Sequence, residues 1–195
     1  PTETVYGLAA DAKNPEAVNK IFALKGRPAD HPLIVHIAGA GQLPQWAIDI
    51  PDAAYRLAER FWPGPLTLIL NKRNDVPDEV TGGQHTVGLR CPDNAITLQL
   101  LREFGGGLAA PSANRFGRIS PTTAEHVRAE FGASAPMILD GGACTIGIES
   151  TIVDLSRKPA RILRHGKIQH AQLLPFLPEL LAETGSDSPR VSGSL

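Results

Sequence analysis

Apolar positions along this chain recur with two periods, and the alternation between them predicts helices and strands in turn. Val18, Ile21, Phe22 and Leu24 share a helical face, with Asn14 placed to cap, Pro15 at the first position and Gly26 as the stop. Leu33 to Ile37 is a short apolar run of buried-strand type. Helices are then expected over Gly39 to Ile50 and Asp52 to Arg60, a stiff corner at Phe61 to Pro65, and a strand over Leu66 to Leu70. Pro77 to His85 reads as a loop with Gly82 and Gly83 at its turn, followed by a strand from Thr86 to Arg90. Asp93 or Asn94 caps a helix that runs through Phe104 and breaks at Gly105 to Gly107. Leu108 to Pro111 is a short strand, and Thr122 to Phe131 a helix introduced by Ser120 and Pro121. Strands follow at Met137 to Leu139, Ser150 to Leu155 and Ala160 to Leu163, and Gln169 to Leu181 closes as an amphipathic helix broken or kinked at Pro175 and Pro178. Helices and strands that alternate in this way predict an α/β domain.

The ends read differently. Thr2 to Gly7 looks like the turn after a strand, so an N-terminal segment is expected ahead of Pro1. Residues 183–195 are rich in Ser, Gly and Pro without apolar periodicity, the pattern of a linker toward a further C-terminal domain. The expected organisation is therefore one domain over residues 1–182 and a linker over 183–195.

Composition narrows the function classes. A chain of 195 residues, 42% hydrophobic, can bury a sizeable core. Nineteen basic against 20 acidic residues argue against gripping nucleic acid over the whole surface, though a local basic groove stays open. Cys91 and Cys144 have no partners at metal-ligand spacing, so no metal site is expected and a reducing compartment is the simpler setting. No run approaches the roughly 18 apolar residues of a membrane span.

The candidate chemistry starts at Lys25-Gly26-Arg27-Pro28. An ammonium and a guanidinium either side of a glycine, on a turn stiffened by Pro28 and Pro32, can converge on a phosphate or carboxylate. The same pair would also serve as plain cations offsetting a helix dipole. Arg90, Ser112, Asn114 and Arg164 all follow apolar runs, where loops beyond strand ends form ligand crevices in open α/β sheets. Four cations in one crevice suit a nucleoside triphosphate or another polyanion. Neither a phosphate-binding Gly-x-x-x-x-Gly-Lys-Ser/Thr loop nor a Gly-x-Gly-x-x-Gly fingerprint is present, so side chains would have to do the binding. Ser112 lacks the Gly-x-Ser-x-Gly setting of a nucleophile, which favours hydrogen bonding to phosphate. His36 reads equally as a core histidine, Arg90 as half of a structural ion pair, Glu149 to Thr151 as turn chemistry, Trp62 as a packed corner and His126 as exposed.

Several spaced motifs change the balance. Pro1 to Leu8, Lys25 to Pro28 with Pro32 to His36, Phe61 to Leu70, Val87 to Pro92, Ala109 to Asn114, Ser120 to Glu125 and Gly147 to Leu155 resemble, in the same order, the YrdC/TsaC-like family of L-threonylcarbamoyladenylate synthases. The resemblance runs from Pro1 to about Gly166, and the tail around Ser188 to Gly193 resembles the linker of the longer, two-domain members. It implies a single YrdC-like α/β domain, a twisted mixed sheet flanked by helices with an open central crevice.

The implied activity joins L-threonine, bicarbonate or CO2, and ATP into threonylcarbamoyl-AMP and pyrophosphate. A separate transferase complex then modifies the adenosine that follows the anticodon. By this resemblance Lys25, Arg27, Ser112 and Asn114 form a signature tetrad at the phosphates. Arg27, His31, Ser112, Ser120 and Arg164 contact ATP, His31 standing where relatives commonly carry asparagine. Thr4, His36, Arg90, Ala110 and Ser150 surround threonine, with Arg90 on its carboxylate. Mg²⁺ is expected with ATP, and the setting is cytoplasmic. Two alternatives are an RNA-binding module without synthase activity, with weak RNA binding as its residue, and a carbamoyltransferase-related domain.

Overall fold

The structure is a computed structural model that describes residues 1–182 and 188–192. Its elements in chain order are β1 (Ala10–Asp11), α1 (Pro15–Lys25), β2 (Ile34–His36), a 3₁₀ helix (Ala40–Gln45), α2 (Asp52–Phe61), β3 (Leu66–Asn71), α3 (Asp78–Thr81), β4 (Thr86–Arg90), α4 (Ala95–Phe104), β5 (Leu108–Ala109), α5 (Ala124–Phe131), a second 3₁₀ helix (Gly132–Ser134), β6 (Thr151–Asp154), β7 (Arg161–Arg164) and α6 (His170–Leu173). The strands form one twisted sheet in the order β1-β5-β2-β4-β3-β6-β7. It is mixed: β2 runs parallel to β4 and β3 to β6, and the remaining pairs are antiparallel.

Local sequence explains the best-defined elements. Asn14 Oδ1 accepts from the backbone N–H of Glu16 at 3.1 Å and of Ala17 at 3.2 Å, and Gly26 ends α1 with a left-handed φ of 62°. Asn94, rather than Asp93, caps α4, accepting from Thr97 N at 3.2 Å. Thr123 caps α5, so this helix begins two residues later than Thr122-led periodicity suggests.

Strand alternation divides the core between two faces. Val35, Leu68, Leu70, Leu89, Val153 and Ile162 join the large cluster under the helices. Ile34, Ile69, Ile152 and Leu163 form a smaller cluster with Val191. On that second face the register sets Ile34, Gly88, Ile69 and Asp154 in one row and His36, Arg90, Thr67 and Ile152 in the next, with Ser150 two residues before Ile152 and bonded to Thr67. Period-two geometry thus puts His36, Arg90, Thr67 and Ser150 on the same face as the smaller apolar cluster, and that polar end is where chemistry can occur.

Several expected elements take another form. Gly39 to Ile50 holds only the 3₁₀ helix, because Pro44 supplies no N–H and two glycines precede it. The loop from Pro77 to His85 contains the single turn α3, which Gly82 stops with a φ of 59°. Met137 to Leu139 is no strand: it follows Pro136, pairs with no neighbour, and Met137 is 87% exposed. Gln169 to Leu181 keeps one helical turn, α6, before Pro175 and Pro178 interrupt it. Of the stretch read as a linker, residues 183–187 and 193–195 lie outside the described residues. In the part that is described, Val191 and Ser192 are buried on the sheet's second face. Arg190 clamps this segment, its guanidinium on Asp30 at 2.6 Å and its N–H on Gln84 Oε1 at 2.7 Å.

Candidate active site

Lys25 closes α1 with its side chain turned inward, and its ammonium donates to the carbonyls of Ser112 and Asn114. Burial, and secondly the neighbouring Arg27, lowers its pKa to about 8. Beyond the Gly26 turn, Arg27 donates to Pro32 O at 3.1 Å and to Ser192 Oγ at 3.4 Å, while its buried Nε has no partner among the described residues. Burial also depresses the Arg27 pKa, and Glu149 opposes that shift. Asn114 is buried, its amide nitrogen bound to the carbonyls of Arg115 and Arg118, and its Oδ1 is unpartnered. The α1 end and the loop after β5 therefore bring Lys25, Arg27, Ser112 and Asn114 together.

The ends of β6 and β7 supply the opposite wall. Arg164 donates Nε to Ser150 O and Nη2 to Ser150 Oγ, each at 3.0 Å, and Nη1 to Ser192 O at 2.6 Å and to Glu149. The other Glu149 oxygen accepts from Ser120 Oγ at 3.0 Å. Ser150 Oγ also bonds Thr67 Oγ1 at 2.8 Å. The expected ATP residues Ser120 and Arg164 thus meet on one carboxylate.

Thr4, His36, Arg90 and Ser150 line one crevice with Ser112 and Arg164. Ala110 lines it too, with its N–H already donated to Ile34 O at 3.0 Å. His36 is fully enclosed; desolvation, then the Arg90 charge, lowers its pKa to about 3, so the ring is neutral with an unpartnered Nδ1. Arg90 forms the ion pair that sequence held open as an alternative: Nη2 donates to Glu3 Oε1 at 2.6 Å, and both side chains are almost completely buried. His31 is not among the lining residues; its ring meets Phe116 edge-on with centroids 5.5 Å apart. A larger cavity of about 530 Å³ shares Thr2, Gly7, His36 and Ala110 with the crevice but is otherwise lined mainly by apolar side chains, so it is not where the cations converge.

Sequence reasoning missed Glu3, Thr67 and Ser192 as members of this site and took Glu149 for turn chemistry. Glu3 had a signal, an acid inside an otherwise neutral polar run beside Thr4. Thr67 carried one as well, the only polar side chain within Leu66 to Leu70. Trp62 is a packed corner, its indole N–H on Leu66 O at 2.7 Å, and His126 is exposed, both as expected.

Chemically, the crevice offers cations at one end, a neutral imidazole and hydroxyls at the other, and no nucleophile–base pair. Such a site holds and aligns anions.

A family model for Sua5/YciO/YrdC, described as telomere recombination, matches residues 1–166. The threonylcarbamoyl-AMP synthase of Pyrococcus abyssi is 48% identical over 180 residues, covering 92% of this chain and 53% of its own length. That of Bacillus subtilis is 49% identical over 186 residues, covering 95% and 54%. The crystal structure of P. abyssi Sua5 complexed with L-threonine superposes with a TM-score of 0.94 at 45% identity, over 99% of this chain and 58% of that one. The chain spans about half the length of these curated relatives. With a matching family model over most of its length and the same mixed sheet, the chain belongs to the Sua5/YciO/YrdC family.

Proposed function

We propose that this chain catalyses L-threonylcarbamoyladenylate synthesis, joining L-threonine, bicarbonate or CO2, and ATP. The observation that carries the reading is that Arg90, Arg164, His36 and Ser150 line one crevice while Lys25 and Arg27 stand behind it, bonded to its lining residues Ser112 and Ser192, in a family whose P. abyssi member was crystallised with L-threonine. In this reading Arg90 takes the amino-acid carboxylate, and Thr4, His36, Ser150 and the Ala110 backbone enclose the rest of threonine. Lys25, Arg27, Ser112, Asn114, Ser120 and Arg164 take the triphosphate, with His31 reaching the nucleotide.

The threonine amine first adds CO2 to give a carbamate. A carbamate oxygen then attacks the α-phosphorus, forming the new O–P bond as the bond to pyrophosphate breaks. The protein's part is alignment and charge neutralisation, since the cations face oxygens whose charge grows during transfer. Enclosure protects the carbamate from water. Mg²⁺ travels with the triphosphate and offsets its charge: no group of three His, Cys, Asp or Glu among the described residues could hold a metal ion, while Glu149 and Ser120 offer oxygen donors to an ion already held by phosphates.

On this reading the product passes to a tRNA-modifying transferase complex, and a cytoplasmic setting goes with it. No helix among the described residues is long and apolar enough to cross a membrane. The relatives' names do not favour the RNA-binding or carbamoyltransferase alternatives. The test is pyrophosphate release with each of ATP, L-threonine and bicarbonate omitted in turn. Release that needs all three and collapses in Arg27→Ala and Ser112→Ala is expected; release independent of threonine would overturn the reading.

A further inference from the structure

Glu3 is a buried carboxylate that the reaction as described does not use. Its Oε1 accepts from Arg90 Nη2 at 2.6 Å and its Oε2 from the N–H of Asp93 at 3.0 Å. Its own backbone carbonyl accepts from Ile146 N at 2.8 Å, and the next carbonyl, of Thr4, from Gly147 N at 3.1 Å. One residue thus joins the end of β4, the approach to α4, and the loop that leads to Glu149 and Ser150.

The geometry at Arg90 shows what this accomplishes. Nε donates to Gly64 O at 3.2 Å and Nη2 to Glu3, and no described residue accepts from Nη1. Two fixed bonds on a planar group determine its plane, which for guanidinium decides whether a carboxylate can be met squarely. A merely structural ion pair in this position would be expected to close the guanidinium off, yet Arg90 lines the crevice.

We propose that Glu3 is a positioning residue for amino-acid recognition: it holds the Arg90 guanidinium so that Nη1 meets the substrate carboxylate. The inference rests on the threonine reading given above. Glu3 does not touch the substrate; both of its oxygens are occupied by protein donors. Its action is to make recognition depend on orientation as well as on charge.

The test measures binding of L-threonine and of L-threoninol, which lacks the carboxylate, by calorimetry, with ATP affinity measured in parallel. Glu3→Gln keeps the shape but can accept only one of the two donors in the same way. Glu3→Asp keeps the charge beside Arg90, which secures folding, but shortens the reach. Wild-type protein is expected to prefer threonine over threoninol. In both variants that preference should fall about tenfold, the scale of one charge-assisted hydrogen bond, while ATP affinity changes less than about twofold. A preference retained in both variants, or an equal loss of ATP affinity, overturns the positioning role. Wild-type protein that binds neither compound would overturn the threonine reading itself, and this inference with it.

Discussion

Gly166 sits where the chain after β7 crosses the start of β6, and an alanine there tests how the Glu149–Ser150 segment is held. A Cβ built on Gly166 would lie 2.5 Å from Thr151 N, 2.6 Å from Glu149 O and 2.7 Å from Ser150 C. All three are backbone atoms, so no rotamer change relieves the clash and one segment must move. Overpacking of this kind costs about 2 kcal/mol. With a urea dependence of about 2 kcal/mol per molar for a domain of this size, the unfolding midpoint should fall by about 1 M. The displaced segment carries Ser150, bound twice by Arg164, and Glu149, bound by Arg164 and Ser120. Activity should therefore fall further than stability alone explains, at temperatures where Gly166→Ala is still folded. Urea unfolding followed by circular dichroism, alongside pyrophosphate release, reads both effects. A midpoint within about 0.2 M of wild type would refute the reasoning, because no relaxed arrangement of these atoms leaves the backbone in place.

Two further perturbations address other parts of the site. Lys25 has its pKa lowered to about 8, against about 10.4 for the unfolded chain, so the unfolded state binds more protons between those values and stability from this group rises with pH across that window. Lys25→Met should abolish that rise in pH-dependent urea midpoints, and wild-type ATP affinity should weaken above pH 8 as the free ammonium is lost, whereas Lys25→Arg should show no such titration. Val191→Ala removes two carbons from the cluster with Ile34, Ile69, Ile152 and Leu163, a loss of about 1.5 kcal/mol. If residues 188–192 open locally, exchange of the Arg190 amide, bonded to Gln84, should quicken about tenfold with little change in the global midpoint; unchanged exchange would mean that Val191 does not hold the segment.

Local signals carried much of the fold. The Asn14 cap and Gly26 stop bound α1 as read, β2, β4 and β6 lie within the stretches read as strands and β3 runs one residue past its own, because capping and strand burial are written within a few residues. Some failures were local, at Pro44 and at the Gly82 stop, and others occurred where the partner was remote. Met137 to Leu139 is apolar enough for a strand, but a strand needs an edge to pair with, and none is offered there. At the site, Lys25 and Arg27 were visible because a turn brings them together. The Glu3–Arg90 pair joins residues 87 positions apart, and the Val191 contacts depend on one apolar residue in a polar tail. No periodicity reveals either. Charge composition was silent too, since a net charge of −1 conceals Arg90 and Arg164 in the crevice wall and Lys25 and Arg27 bonded behind it.

Lys25, Arg164 and Arg90 are already held by internal partners, and this bears on how substrate enters. Lys25 holds two carbonyls, Arg164 holds Glu149 and the Ser150 and Ser192 carbonyls, and Arg90 holds Glu3 and the Gly64 carbonyl. Buried cations without such partners would be costly, so carboxylates and carbonyls of the chain itself hold them. The crevice is accordingly tight, about 30 Å³, against roughly 300–1,000 Å³ for ordinary small-molecule pockets. On the proposed reading, ATP cannot enter without parting Arg164 from Glu149 and from Ser192. Triphosphate oxygens then replace a carboxylate and a carbonyl as partners of the same guanidinium. Arg27, with its unpartnered Nε and its contact to Ser192, gains most from the exchange. The Glu3–Arg90 pair, by contrast, can persist, because Nη1 has no partner to displace among the described residues. On the proposed reading, then, nucleotide binding requires movement of the 188–192 segment, while the guanidinium for threonine is held in place beforehand.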